Sequence, residues 1–529
     1  MTYVEYIALS SKDQFRYKAI SFLKGLGNGF VGFFVSIGMF FVNLYKKLCR
    51  SFKEIKYAFV KGDIWTKLSF VFLGTSHIAR GQIVKGVIYL IFEAAFITYL
   101  CMFGIASIQG MANLGTHQTY YQCSVDGTIV AEGFENIKFF DSGTASIYCN
   151  TINGLENVQI RGDNSSILLL FGVFAFVILF GFIFYYSSCI KSSITVQEKK
   201  ESHQYISTCL DDLKELLDGK FYKVLLFLPI IGICIFTLLP LIDMILMAFT
   251  NYDTNHQYPA SLFSWTGLSN FAQLFIGTGQ NAKFGYTFVG VLLWTLVWAF
   301  FATFLNYFIG MIVAMIINKK GIKFKKLWRT FFVLSIAMPQ FISLLTWNKF
   351  LSTGGMVEGI LKALGLMAQG DKITVLEYAT SARITIILVN LWVGVPYTIL
   401  TTTGILMNIP ADLYESAQID GASPRKMYFK ITLPYILFVT GPYLIQQFVS
   451  NINNFNVIFF LTGGAPLTQD YLNAGETDLL VTWLYKLTVN EQQYNLGSVI
   501  GIMVFIICSL FSLIAYKNSS SMKNEEDFA

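Results

Sequence analysis

Charge is scarce in this chain. Only 13% of its 529 residues are Asp, Glu, Lys or Arg, and 54% are hydrophobic, whereas soluble domains carry about 25% charged residues. A soluble fold of this size would leave more charge on its surface, so the composition requires a low-dielectric solvent, which a bilayer supplies. The formal net charge is +6; cytoplasmic Lys and Arg of a membrane protein account for it, and no nucleic-acid partner is expected. The eight cysteines are scattered without a C-x-x-C and the four histidines do not cluster, so no metal site is expected. No G-x-x-x-x-G-K-[ST] occurs; Gly219-Lys220 lacks the upstream Gly and the hydroxyl residue. This chain therefore offers no phosphate cradle of that kind. Gly25-Leu26-Gly27-Asn28-Gly29 follows no strand and is no nucleotide fingerprint. No Ser/His/Asp or paired-carboxylate site stands out, so no catalytic residue is assigned. Residues 1–24 hold Lys12, Arg16, Lys18 and Lys24 without an apolar run and cleavage site, and no cleavable signal peptide is expected.

What the chain has in abundance is apolar runs. A spanning helix needs about 20 largely apolar residues. Eight stretches qualify, near 86–108, 166–187, 223–249, 286–317, 329–349, 383–407, 435–461 and 495–516. The fourth is longer than a bilayer needs, which implies tilt or extension into water. Basic residues concentrate in Lys319–Arg329, in Lys191–Lys223 and in the tail, at Lys517 and Lys523. By the positive-inside rule both termini are cytoplasmic. The uncharged stretch 25–45 has basic flanks on both sides and reads as an interfacial or re-entrant helix rather than a ninth span. Leu68–Ile78 is too short to cross. The expected fold is an all-α integral membrane protein of about eight transmembrane helices with a small β-rich extracellular loop. Its regions are 1–85 (cytoplasmic or interfacial), 86–187 (two spans with a cap loop at 109–165), 188–222 (cytoplasmic linker with one helix), 223–516 (transport domain) and 517–529 (cytoplasmic tail).

In the cap loop, Asp126-Gly127 lies between Tyr120–Val125 and Thr128–Val130, a hairpin signal. Cys123 and Cys149 bracket the loop's middle. Outside the membrane they form either a disulfide, worth about 3 kcal/mol, or two free thiols.

Between the sixth and seventh spans, residues 409–434 read as two short helices at an angle. Pro410 and Asp412 suit a helix start. Gly421 suits the left-handed stop, and Ser423-Pro424 caps a second helix that Pro434 ends. Leu413, Tyr414 and Ala417 form an apolar stripe fit for a partner's groove. This segment resembles the E-A-A, three residues, G, nine residues, I-x-L-P motif of ABC importer permeases, here Glu415-Ser416-Ala417, Gly421, Ile431, Leu433 and Pro434, with Asp420 beside the glycine and Ser416 in place of Ala.

The transport domain is similar to the maltose-type (MalF-like) branch of carbohydrate permeases. The similarity rests on Ala248–Tyr252, Trp265–Phe271, Asn453–Phe455, Leu461–Pro466 and Thr477–Tyr485, and Lys523–Phe528 resembles tails of Gram-positive members. The resemblance covers about 300 residues and implies a type I permease fold in the plasma membrane. It implies that the 409–434 loop docks on an ATPase dimer (MalK-like) that holds ATP and Mg, with no cofactor on this chain. It also implies a second, homologous permease (MalG-like), an extracellular sugar-binding lipoprotein, and import of an oligosaccharide such as maltodextrin. The outer loop 250–285 is short where the enterobacterial type has a large insert, so contact with the binding protein must differ, and loop 109–165 is the candidate.

Sugars are recognised by aromatic faces and amide hydrogen bonds in a partly dry pocket. Asn390, Trp392, Gly394 and Tyr397 on the sixth span, and Asn451 and Asn454 on the seventh, resemble the positions that line the maltose-type site. Three Asn among residues 451–454 also argue for a polar cavity, because an unpaired amide in hydrocarbon is costly. Ile336, Gln340 and Ser450 depart from the maltose pattern and put maltose itself in doubt. Two intramembrane acids, Glu93 and Asp243, lack a His or Lys partner in their own spans. Hydrogen bonding to neighbouring helices, or outward snorkelling of Asp243, is expected of them.

Overall fold

The computed structural model describes residues 51–115, 164–257, 262–275, 280–319 and 321–518, the strand residues 120–123, 129–132 and 156–159, and scattered positions between Val35 and Arg50. The chain divides into two units: Ser36–Asn270 with Gln493–Ser498, and Phe271–Gln492 with Met1–Val35 and Val499–Ala529.

In the first of these, three helices are long and apolar enough to cross a membrane: α1 (Ile83–Ala112), α2 (Ser165–Glu201) and α3 (Phe221–Met247). Small residues let α1 and α2 touch. A Cβ on Gly172 would stand 2.4 Å from Cβ of Met111, and Phe96 stacks on Phe182 with centroids 3.7 Å apart. At 37 residues α2 is roughly 55 Å long. It runs 14 residues past the expected end at 187, to Glu201. No Gly or Pro interrupts 188–201, and Cys189, Ile190 and Ile194 bury themselves against Ala58 and Leu73. The expected linker is therefore in part a continuation of the span.

The segment before α1 is short and bent, as expected for Leu68–Ile78. Asp63 caps a helix over Ile64–Leu68 and pairs with buried Arg80 at 2.8 Å. Glu93 accepts from the Leu73 amide at 2.8 Å, which is the neighbouring partner this acid needed. His77 is fully buried and shares 2.9 Å with Ser192 Oγ; burial pushes its pKa down to about 4. The expected hairpin is present: β1 (Tyr120–Cys123) pairs antiparallel with β2 (Ile129–Glu132), and β3 (Glu156–Gln159) joins the other edge of β1. The Cys123 side chain, all of Cys149, and most of 25–45 lie outside the described residues.

The second unit holds α4 (Ala282–Asn318), α5 (Lys325–Ala337), α6 (Gln340–Leu351), α7 (Ala379–Met407), α8 (Ala411–Ile419), α9 (Pro424–Ile452), α10 (Phe455–Leu461) and most of α11 (Tyr494–Tyr516). Among the described residues, seven helices in the whole chain are long and apolar enough to span. The fifth expected stretch, 329–349, is broken instead. Pro339 disfavours helical backbone at Met338, which is extended (ψ 131°) and separates α5 from α6. The seventh stretch also differs. Its helix starts at Pro424, passes Pro434 through a π-helical turn at Tyr428–Thr432, and stops at Ile452, after which Asn454 caps α10. Pro434 therefore does not end a helix; the wider turn accommodates the missing N–H.

Among the described residues, three apolar clusters hold this unit, one of them formed by Ala314, Ile317, Val395 and Ile399, and the other two flank the site described below. One gathers Trp294, Trp298, Leu344, Ile386, Ile458 and Leu461. The other sets Tyr307 and Met311 against Ile436. After α10 the chain turns back through 462–479. There the fully buried Asp478 accepts from the Gly475 amide (2.7 Å), Thr482 Oγ1 (2.8 Å) and Lys486 Nζ (2.6 Å).

Candidate functional site

A cavity of about 280 Å³ opens between the two clusters, walled by α4, α6, α7 and α9. Its contributors follow helical periodicity. From α7 come Asn390, Val393, Gly394, Tyr397 and Thr398, one face of a 3.6-residue helix. From α9 and the residues after it come Tyr443, Leu444, Gln447, Ser450, Asn451 and Asn454. At 1.5 Å per residue this wall is roughly 16 Å long, an elongated slot. α4 presents Ala302, Thr303, Asn306 and Tyr307, and α6 its first residue, Gln340. The α4 contribution sits on a π-helical turn, Phe301–Leu305, a distortion frequent at functional sites.

The polar groups are ordered by one another. Asn451 Nδ2 donates to Thr303 Oγ1 at 3.0 Å, and its Oδ1 accepts from Asn454 Nδ2 at 3.3 Å. Trp298 Nε1 fixes the Asn451 carbonyl at 3.1 Å. Tyr307 and Thr440 share 2.7 Å. Every lining side chain is apolar, an amide, a hydroxyl or a phenol. Such a lining suits a neutral, hydroxyl-rich molecule lying along the slot.

Five of the six expected residues meet here: Asn390, Gly394, Tyr397, Asn451 and Asn454. Trp392 does not. It lies roughly 200° around the helix from Asn390 and is half exposed on another face. Asn453 also turns away, toward Cys508. Gln340 and Ser450, the departures from the maltose pattern, do line the slot, whereas Ile336 does not. Sequence reasoning missed Asn306, Tyr307, Tyr443 and Gln447. The signal for Asn306 was available, since an amide within an apolar span needs a polar reason to be there. Asp243 on α3 lies elsewhere; its buried Oδ1 has no hydrogen-bond partner among the described residues, so neither expected arrangement satisfies that oxygen.

The 409–434 segment forms a second feature. α8 carries Asp412 in its first turn and ends in paired 5→2 and 6→1 bonds: Gly421 N to Gln418 O (3.0 Å) and Ala422 N to Ala417 O (2.9 Å). Gly421 has φ +72°. Ser423 caps the next helix by accepting from the Lys426 amide. Tyr414 anchors the elbow from within, sharing 2.8 Å with Thr432, so the exposed large apolar side chains are Leu413 and Ile419 on α8, with Phe429 on the next helix, rather than the expected stripe. Glu415, Ser416, Asp420 and Pro434 are exposed, while Ile431 and Leu433 are half-buried.

Residues 306–522 match the family model described as the binding-protein-dependent transport system inner membrane component. The chain is 33% identical over 371 residues to GanP, a galactooligosaccharides transport system permease of Bacillus subtilis, covering 69% of this chain and 86% of the relative. It is 29% identical over 459 residues to MdxF, a maltodextrin transport system permease of the same organism, covering 86% and 95%. To MalC, a maltodextrin permease of Streptococcus pneumoniae, it is 33% identical over 371 residues, covering 69% and 84%.

Proposed function

The chain belongs to the family of binding-protein-dependent sugar permeases of ABC importers, a non-catalytic multi-pass membrane subunit, and from that premise we propose that it imports a neutral oligosaccharide of the maltodextrin or galactooligosaccharide kind. The observation that carries this reading is the slot between α4, α7 and α9, long, uncharged and lined by amides and tyrosines. A sugar hydroxyl both donates and accepts, as Asn and Gln do, and the phenol rings of Tyr397 and Tyr443 offer flat apolar faces. Among the described residues the lining has no cation, which argues against a phosphorylated substrate such as glycerol phosphate.

In this proposal one chain supplies half of the pore and a homologous permease the other half. An ATPase dimer holding ATP and Mg seats on the elbow from Ala411 to Pro434, where Leu413 and Ile419 stand free, and both termini lie on that cytoplasmic side. ATP binding moves the elbow, α9 follows because the second elbow helix runs on into it, and the slot opens outward. A sugar-binding lipoprotein delivers the ligand, and hydrolysis resets the complex. Its home is the plasma membrane of a Gram-positive bacterium.

The test is ATP hydrolysis by the assembled complex in lipid nanodiscs. Stimulation by a binding protein loaded with a neutral oligosaccharide, reduced at least tenfold by Asn390→Ala, is the expected result. Equal stimulation by an ion gradient without sugar would overturn the reading.

A further inference from the structure

One slot residue is held in a way that stability does not require. Asn306 is 8% exposed, and its Nδ2 donates to the Ala302 carbonyl at 2.7 Å. A carbonyl only accepts, so the amide nitrogen must face it and Oδ1 is fixed on the other side. That oxygen is buried and takes no hydrogen bond from any described protein group. A buried acceptor left without a donor is unfavourable in itself. On α7, packed directly against this amide, a Cβ on residue 394 would stand 2.2 Å from Asn306 Nδ2 and 2.7 Å from its Cγ. Gly394 is thus the residue that leaves this amide its room.

We infer that Asn306 is a specificity-determining residue: when the slot opens, its Oδ1, closed off in this structure, accepts a hydroxyl proton from the bound sugar, and Gly394 keeps it in position. The inference rests on the import reading above and deepens it. The donor is neutral, because the described side chains lining the slot carry no charge. A sugar acid would bring a carboxylate, an acceptor only, against a lining to which this chain contributes no cation among its described residues. The arrangement also accounts for an amide at this point of an apolar span, where leucine would remove the unpaired oxygen at the cost of the bond to the Ala302 carbonyl.

The test is equilibrium binding of a radiolabelled neutral oligosaccharide to the full membrane complex trapped with a non-hydrolysable ATP analogue, without the binding protein. Asn306→Leu and, separately, Gly394→Ala are expected to raise Kd about tenfold, the loss of one hydrogen bond. The thermal midpoint of the ligand-free Asn306→Leu complex should equal or exceed that of wild type, which a merely structural residue would not allow. A deoxy-sugar series should contain one analogue that binds wild type about tenfold more weakly than the parent sugar yet binds Asn306→Leu equally. Unchanged Kd in Asn306→Leu, or a rise in Kd together with a lowered midpoint, overturns the inference and leaves the import reading standing. Failure of the wild-type complex to bind any neutral oligosaccharide overturns both.

Discussion

Gly421 offers the cleanest single test of the elbow. Its φ of +72° lies in the left-handed region, and a Cβ built there meets nothing within 4 Å in this chain. Substitution therefore carries no steric clash within the protein, only the dihedral cost of a left-handed L-residue, about 1–2 kcal/mol for alanine. That is a factor of roughly 5–30 in the population of the bent form. Asparagine tolerates the left-handed region better than other side chains, and a β-branched residue tolerates it worst. The expected order for sugar-stimulated ATP hydrolysis is therefore Gly, Asn, Ala, Val, with Asn within a few-fold of wild type and Ala down by about the factor above. The assay is the reconstituted complex, with co-purification of the ATPase measured alongside to separate assembly from coupling. If Ala equals Gly, backbone geometry at this point does not matter. If Asn is as poor as Val, the glycine is needed for room against a partner rather than for its φ, and the dihedral argument fails.

Two further outcomes are expected. Asp478→Ala removes the partner of Lys486 and the acceptor of the Gly475 amide, while Thr482 Oγ1 can still donate to the Leu479 carbonyl at 3.1 Å. The loss should be about 3 kcal/mol, the low end for a broken buried pair because Lys486 keeps some exposure, and Asp478→Leu with Lys486→Met should recover most of it; thermal unfolding in detergent measures both, and a loss below about 1 kcal/mol would refute the pairing. His77 is held neutral with a pKa of about 4, below the ordinary value of about 6.5, so the unfolded chain takes up its proton first. Its contribution is then full above about pH 6.5 and falls away as pH drops toward 4. Melting midpoints measured from pH 7 to pH 5 should decline less steeply in His77→Gln, and parallel slopes would remove His77 as the cause.

Much of this architecture was legible because one physical demand dominates. Long apolar runs such as 223–249 have a single use, and hydropathy finds them whatever their neighbours do. The elbow was legible for a different reason, since Gly421 and Ser423-Pro424 act on their own backbone. What failed was everything decided between elements. Averaging over 329–349 hides Pro339, because one proline changes hydropathy little and helix geometry completely. The overrun of α2 depends on Ala58 and Leu73, about 120 residues away in sequence. Trp392 was included for its chemistry when its angular position already removed it from the face of Asn390. Asn306 was passed over although an amide in an apolar span is itself a signal; its fixed orientation against Gly394 is what the sequence does not carry.

The break at Met338–Pro339 puts a seam in the wall of the slot. On one side α5 is tied down through Arg329 to the Asn318 side chain, and through Lys325 to the Asn318 carbonyl at 3.2 Å. On the other, α6 is tied to α10 by Asn348, which donates to the Leu461 carbonyl at 2.7 Å. No continuous ladder joins the two halves, and Gln340, the first residue past the seam, faces the ligand space. A push on α5 can thus arrive at the slot as a change of angle at one residue, with the packing of α6 left whole. A rigid rod would transmit displacement along its whole length; a jointed one delivers it at a single point in the slot's wall.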